Sequence, residues 1–131
     1  MNNVLSIDSR QAISLLNDNS SSYLIDVRTN AEWQKIGTPL ILNSKNYLQL
    51  SWRHGEDMSR NNNFEKELMS VVTNKDSLLF FLCRSGVRSL EAAISMENNG
   101  YMNCYNIYDG FEGTNFQNGW KNNKLPFELK A

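Results

Sequence analysis

One histidine and two cysteines in 131 residues leave little room for several kinds of chemistry. A structural zinc site needs four closely spaced Cys or His ligands, and His54, Cys83 and Cys104 are too few and too scattered. A disulfide scaffold needs denser cysteine in a chain of this size. A cysteine hydrolase needs a histidine base beside its thiol. His54 stands among Arg53, Gly55, Glu56 and Asp57, the setting of a solvated loop residue. An excess of either charge is also missing, since 13 basic and 14 acidic side chains give a net charge of −1. A nucleic-acid partner, which calls for a basic patch or stripe, is therefore not expected. The longest purely apolar run, Leu78 to Cys83, is far too short to cross a bilayer. Met1 to Asp8 carries neither the basic nor the apolar region of a signal peptide. No membrane association is expected, and the expected location is the reducing cytoplasm, where a free thiol persists.

What is present suits a soluble globular protein, with 40% hydrophobic and 21% charged residues. The length suffices for one core, so residues 1–131 read as a single domain. The asparagine run Asn61-Asn62-Asn63 is short and reads as compositional bias.

Strand and helix patterns alternate along the chain. Val4 to Ile7 suits a short strand, and Asp8 or Ser9 can cap a helix with Ala12, Ile13, Leu15 and Leu16 on its apolar face. Tyr23 to Val27 suits a second strand. Ala31 to Lys35 suits a brief helix ended by Gly37 and Pro39. Leu40 to Leu42 reads as the start of a third strand, and Tyr47 to Asn63 as loop with some local helix. Phe64 to Val72 reads as a helix with Phe64, Leu68, Val71 and Val72 on one side. Leu78 to Leu82 is apolar throughout, as in a central parallel strand covered on both faces. Val87 to Asn99 is the clearest helix, with Leu90, Ala93 and Ile94 as its buried stripe and Gly100 as its left-handed cap. Cys104 to Tyr108 reads as the last strand. This alternation implies an α/β fold built on a parallel sheet.

Functional groups in such sheets collect beyond the carboxyl ends of the strands. Asp26 with Arg28, Cys83 with Arg84, and Asp109 with Gly110 all fall there. Cys83-Arg84-Ser85-Gly86-Val87-Arg88 joins the most apolar strand to the best helix. Amides at a helix N-terminus, with Arg84 and Arg88 nearby, favour a thiolate. A curled loop of inward amides makes a nest for an anion or a persulfide, and Gly86 permits the curl. Each residue alone has a plainer reading: a buried inert cysteine, or a solvent-facing arginine. Their conjunction around Gly86 favours a functional loop.

Cys83 to Ser89 resembles the active-site loop of rhodanese-like domains. Leu24-Ile25-Asp26-Val27-Arg28 with Glu32-Trp33, and Tyr105 to Phe111 with Trp120 and Leu125-Pro126, resemble two further signatures of that family. The resemblance extends from about Ile7 to Phe127. It implies a three-layer fold, a parallel sheet of about five strands with helices on both faces. It implies a sulfurtransferase, with Cys83 carrying a sulfane sulfur as a persulfide and the amides of Arg84, Ser85, Gly86, Val87 and Arg88 holding it. Asp26 and Arg28 would brace the loop. The donor would be a small molecule such as thiosulfate, and the acceptor cyanide, a thiol or a protein; no cofactor is implied. Where the family often reads Gly-His-Ile-Pro-Gly-Ala, this chain has Gly37-Thr38-Pro39-Leu40-Ile41, a difference that bears on local packing. Tyr47 to Asn63 and Glu112 to Gly119 match nothing specific in the family.

Two alternatives share the fold. A related phosphatase branch has a Cys-x5-Arg loop, whereas Cys83 and Arg88 are spaced Cys-x4-Arg, which suits one sulfur atom better than a phosphoryl group. A non-catalytic binding module would usually lack the cysteine. Cys104, at the far end of its strand, reads as an inert thiol in place of a resolving partner. Trp33, Trp52 and Trp120 read as packing residues.

Overall fold

The computed structural model describes residues 2–130. Strand β1 (Leu5–Ile7) leads into helix α1 (Ser9–Asp18), and β2 (Ser22–Asp26) into α2 (Asn30–Ile36). Then come β3 (Thr38–Pro39), a 3-10 turn at Ser44–Asn46, β4 (Tyr47–Gln49), β5 (Arg53–His54) and β6 (Ser59–Arg60). Helix α3 (Phe64–Val71), β7 (Leu78–Leu82), α4 (Val87–Asn98), β8 (Asn103–Ile107), α5 (Gly119–Asn122) and β9 (Phe127–Glu128) complete the chain. Five strands form one parallel sheet in the order β1-β8-β7-β2-β4, so β7 is central, as its apolarity requires.

Alternation along β7 divides the core. Leu79 and Phe81 face α3 and α4, packing with Phe64, Leu68, Ala92, Ala93 and Met96. Phe80 and Leu82 face the other way, toward Ala12 and Leu16 of α1, Ile36 of α2 and Trp120 of α5. Phe80 and Phe81 are fully buried, and each contributes on the order of 1.5–3 kcal/mol by leaving water. Both early helices open on a capping box: Asp8 with Gln11, and Thr29 with Glu32.

Four local expectations are corrected. Leu40 to Leu42 is not a strand. Thr38–Pro39 instead pairs antiparallel with Phe127–Glu128, the Leu40 amide bonds the Pro126 carbonyl, and Leu42 is left 83% exposed. The next sheet strand is β4, inside the stretch read as loop, followed by the antiparallel β5–β6 hairpin. In α3, Val71 is exposed, and Phe64, Leu68 and Val72 form the buried line. In α4, Leu90 is exposed, Ile94 is half-buried, and Ser89, Ala92, Ala93 and Met96 face inward. A polar residue on the buried side disguised that register, and Ser89 has a task there.

Candidate functional site: a cysteine loop tied to the last strand

The β7–α4 loop carries Cys83 to Gly86 across the carboxyl end of the sheet. Its shape is held by the segment that follows β8. The Phe111 amide bonds the Cys83 carbonyl at 2.8 Å, and the Glu112 amide bonds the Arg84 carbonyl at 3.0 Å. The two segments touch at glycines. A Cβ on Gly86 would lie 2.5 Å from the Tyr108 carbonyl oxygen, and one on Gly110 would lie 2.2 Å from that of Arg84. Gly86 also has φ +98°, the left-handed conformation expected of it.

Cys83 is 1% exposed. Its Sγ accepts from the Gly86 amide at 3.1 Å and lies 3.2 Å from Ser89 Oγ. Ser89 Oγ donates to Asn106 Oδ1 at 2.6 Å, and Asn106 Nδ2 donates to the Gly86 carbonyl at 3.1 Å. Sulfur, hydroxyl, carboxamide and Gly86 backbone thus form a closed buried ring. The Ser89 hydroxyl can donate either to Asn106 or to a sulfur anion, so the ring can accommodate a thiol or a charged sulfur. The role of Asn106 was not read from the sequence. An isolated polar residue in a buried strand, here between Tyr105 and Ile107, is the signal that pointed to it.

The arginines of the loop have different surroundings. Arg88, with its side chain 15% exposed, gives both terminal nitrogens to Glu32, at 2.7 and 2.9 Å. Glu32 Oε1 also accepts from the Thr29 amide and hydroxyl, each at 3.1 Å. Burial opposes ionisation of Glu32, but the Arg88 fork and the Thr29 donors outweigh it and hold the carboxyl below its ordinary value. Burial likewise opposes the Arg88 charge, and Glu32 outweighs it. Arg84 is 66% exposed and only loosely paired, its Nε 3.4 Å from Glu112. A cavity of about 450 Å³ is lined by Arg84 and Arg88 together with Glu32, Lys35, Met58 and Glu112. Met58 comes from the β5–β6 hairpin and Glu112 from the segment after β8, the two stretches with no counterpart in the resemblance. Ser85 is partly exposed on the loop, and Val87 is largely exposed at the start of α4.

Asp26 and Arg28 are fully buried and ion-paired at 2.8 Å. Asp26 also accepts from the Tyr47 hydroxyl, and Arg28 donates to the Gly37 carbonyl. Neither bonds the cysteine loop directly. The Arg28 guanidinium lies 4.2 Å over the Phe111 ring, and the Phe111 amide holds Cys83, so the link runs through that residue. Asp109 spends its carboxylate on the Ser9 amide and hydroxyl at the start of α1. His54 is exposed on the β5–β6 hairpin. Cys104 is buried, and burial with the nearby Glu97 charge pushes its thiol up to about 12. Trp33, Trp52 and Trp120 are all buried.

The family described as STR4 middle domain matches residues 5–130. An uncharacterized protein of Rickettsia rickettsii is 45% identical over 127 residues, covering 96% of this chain and 98% of its own. Rhodanese-like domain-containing protein 17 of Arabidopsis thaliana is 30% identical, over 97% of this chain and 74% of its own. Among solved structures, Rv0390 from M. tuberculosis is similar with a TM-score of 0.79 and 34% identity, covering 94% of this chain and 96% of that one.

Proposed function

The chain belongs to the rhodanese-like family, and within it we propose a sulfurtransferase that carries a sulfane sulfur as a persulfide on Cys83. The observation that carries this reading is the position of Cys83 Sγ, bonded by the Gly86 amide at the N-terminal end of α4 and beside the Ser89 hydroxyl. Donors aimed at one sulfur atom stabilise charge that appears there during transfer. The helix N-terminus adds positive potential at the same point.

The cycle has two displacements. The Cys83 thiolate attacks the outer sulfur of thiosulfate; a Cys83 S–S bond forms, the donor S–S bond breaks, and sulfite leaves with the bonding pair. Cyanide or a thiol then attacks the outer sulfur of the persulfide, and the Cys83 thiolate leaves. No net oxidation occurs and no cofactor takes part. Arg84 assists the incoming anion, and Arg88 contributes through the charge it shares with Glu32. The remaining amides of Arg84, Ser85, Val87 and Arg88 serve the outer sulfur. The partners of this reaction are a small-molecule donor and a thiol, cyanide or protein acceptor, in the cytoplasm.

Intact mass measured after exposure to a sulfane-sulfur donor tests the reading. The protein gains one sulfur atom, and Cys83→Ala gains none while keeping its fold. The burial of Cys83 favours a second reading, a binding module whose thiol never turns over. Absence of added sulfur with every donor selects that alternative.

A further inference from the structure

We infer that the free edge of β4 pairs with the β4 edge of a second copy of this chain, antiparallel about a two-fold axis at Gln49.

β4 ends one side of the parallel sheet, with β2 as its sheet neighbour. The register sets Asp26 opposite Gln49, and the Leu50 amide bonds the Asp26 carbonyl at 3.0 Å. Leu48 and Leu50 therefore turn their backbone groups toward β2, and Tyr47, Gln49 and Ser51 turn theirs outward. Two of the outward groups are already used. The Tyr47 amide bonds the Ser44 carbonyl, and the Ser51 carbonyl accepts from Asn61 Nδ2 at 2.9 Å. The Tyr47 carbonyl, both Gln49 backbone groups and the Ser51 amide have no partner among the described residues. Sheet edges are ordinarily blunted by charge or proline, and Tyr47 to Ser51 contains neither.

These four groups complement themselves. With Gln49 on the axis, each Gln49 amide meets the other copy's Gln49 carbonyl, and each Ser51 amide meets the other copy's Tyr47 carbonyl. The two spent groups fall opposite one another. An added strand must also suit both faces of the sheet. On the α3 face, β4 with Leu68 and Val71 lines a cavity of about 240 Å³, with Glu67 on its wall. On the other face, Thr38, Ser44, Glu128 and Lys130 bring polar groups to a cavity of about 340 Å³. The strand that fits carries apolar side chains toward α3 and polar ones toward the opposite face. β4 has that alternation itself: Leu48 and Leu50 pack on the α3 side, and Tyr47 and Gln49 line the second cavity. A two-fold axis normal to the sheet keeps each face on its own side, so Leu48 comes to lie beside the other copy's Leu50. The two Cys83 loops then open at opposite ends of the joined sheet, each two strands from the contact.

Sedimentation velocity of the full chain over a range of concentrations tests this. The wild-type protein should pass from one chain to two as concentration rises, and hydrogen exchange at the Gln49 and Ser51 amides should slow over the same range. Gln49 is exposed, so Gln49→Lys and Gln49→Glu should fold as the wild type does, which thermal melting checks. Each sets like charges against each other at the axis and should raise the dissociation constant about tenfold. An equimolar mixture of the two variants should dimerise more tightly than either alone. A wild-type chain that stays single at every concentration leaves the edge to a foreign strand or to solvent and overturns the inference. So do a dimer that both variants leave unchanged and a mixture no tighter than the separate variants. None of these outcomes depends on sulfur transfer, so the proposed function stands or falls separately.

Discussion

The Asn106 carboxamide holds the Gly86 carbonyl at 3.1 Å, so a side chain on β8 positions the residue whose amide bonds the Cys83 sulfur. Asn106→Asp replaces the donor facing that carbonyl by an acceptor and buries a charge. Stability in urea should fall by about 1–3 kcal/mol, the cost of a buried polar group left unpaired. Sulfur loading of Cys83 should slow with it. Ser89→Ala should slow loading at a smaller cost in stability, which separates the hydroxyl's action on sulfur from the bracing of the loop.

The buried pair of Asp26 and Arg28 makes a second prediction. Asp26→Ala strands a fully buried guanidinium, and Arg28→Met strands a fully buried carboxylate. Either change should cost about 3–5 kcal/mol. The double change should cost less than the sum of the two, and a double-mutant cycle in urea measures the difference.

Glu32 gives a pH signature. Its folded carboxyl sits below the ordinary value of 4.5, so the native state binds fewer protons than the unfolded chain in that window. The stabilisation is complete above the ordinary value and is lost as pH falls through the folded one. Glu32→Gln should therefore melt at lower temperature than wild type at pH 7, and the gap should narrow on acidification below about pH 4.5. Thermal melts of both proteins at stepped pH check this.

Cys104 should not serve Cys83. Leu79 is the register partner of Cys104, and Cys83 lies four residues further along, an offset of about 13 Å at the rise of a strand. A disulfide cannot close over that span. Diamide should leave no internal disulfide detectable by peptide mapping. At pH 8 the native Cys104 thiol, raised to about 12, should resist iodoacetamide and react once the protein is unfolded.

The cysteine loop was legible because its parts are contiguous: an apolar strand, Gly86 and a long helix follow one another. The same holds for β2 and for the capped start of α1. Strands β4, β5 and β6 were not legible, because two or three residues are too few to show a period of two. The pairing of Glu32 with Arg88 spans 56 residues, and that of Ser89 with Asn106 spans 17. No local pattern names the partner in either contact. Ser89 also misled the helix register, since a serine facing the core looks like a surface residue until its partners are known.

The stitching of Cys83 to Phe111 and of Arg84 to Glu112 has a consequence for the order of assembly. A chain growing from its N-terminus presents Cys83 well before the residues that shape its loop. Strand β1 waits as long, since its sheet partner is β8, with Leu5 opposite Tyr105. Such distant pairings delay closure of the sheet. A nascent or truncated chain ending before residue 110 would thus carry Cys83 without the two backbone bonds that shape its loop. The loop around Cys83 takes its shape only when β8 and the segment after it have folded onto it.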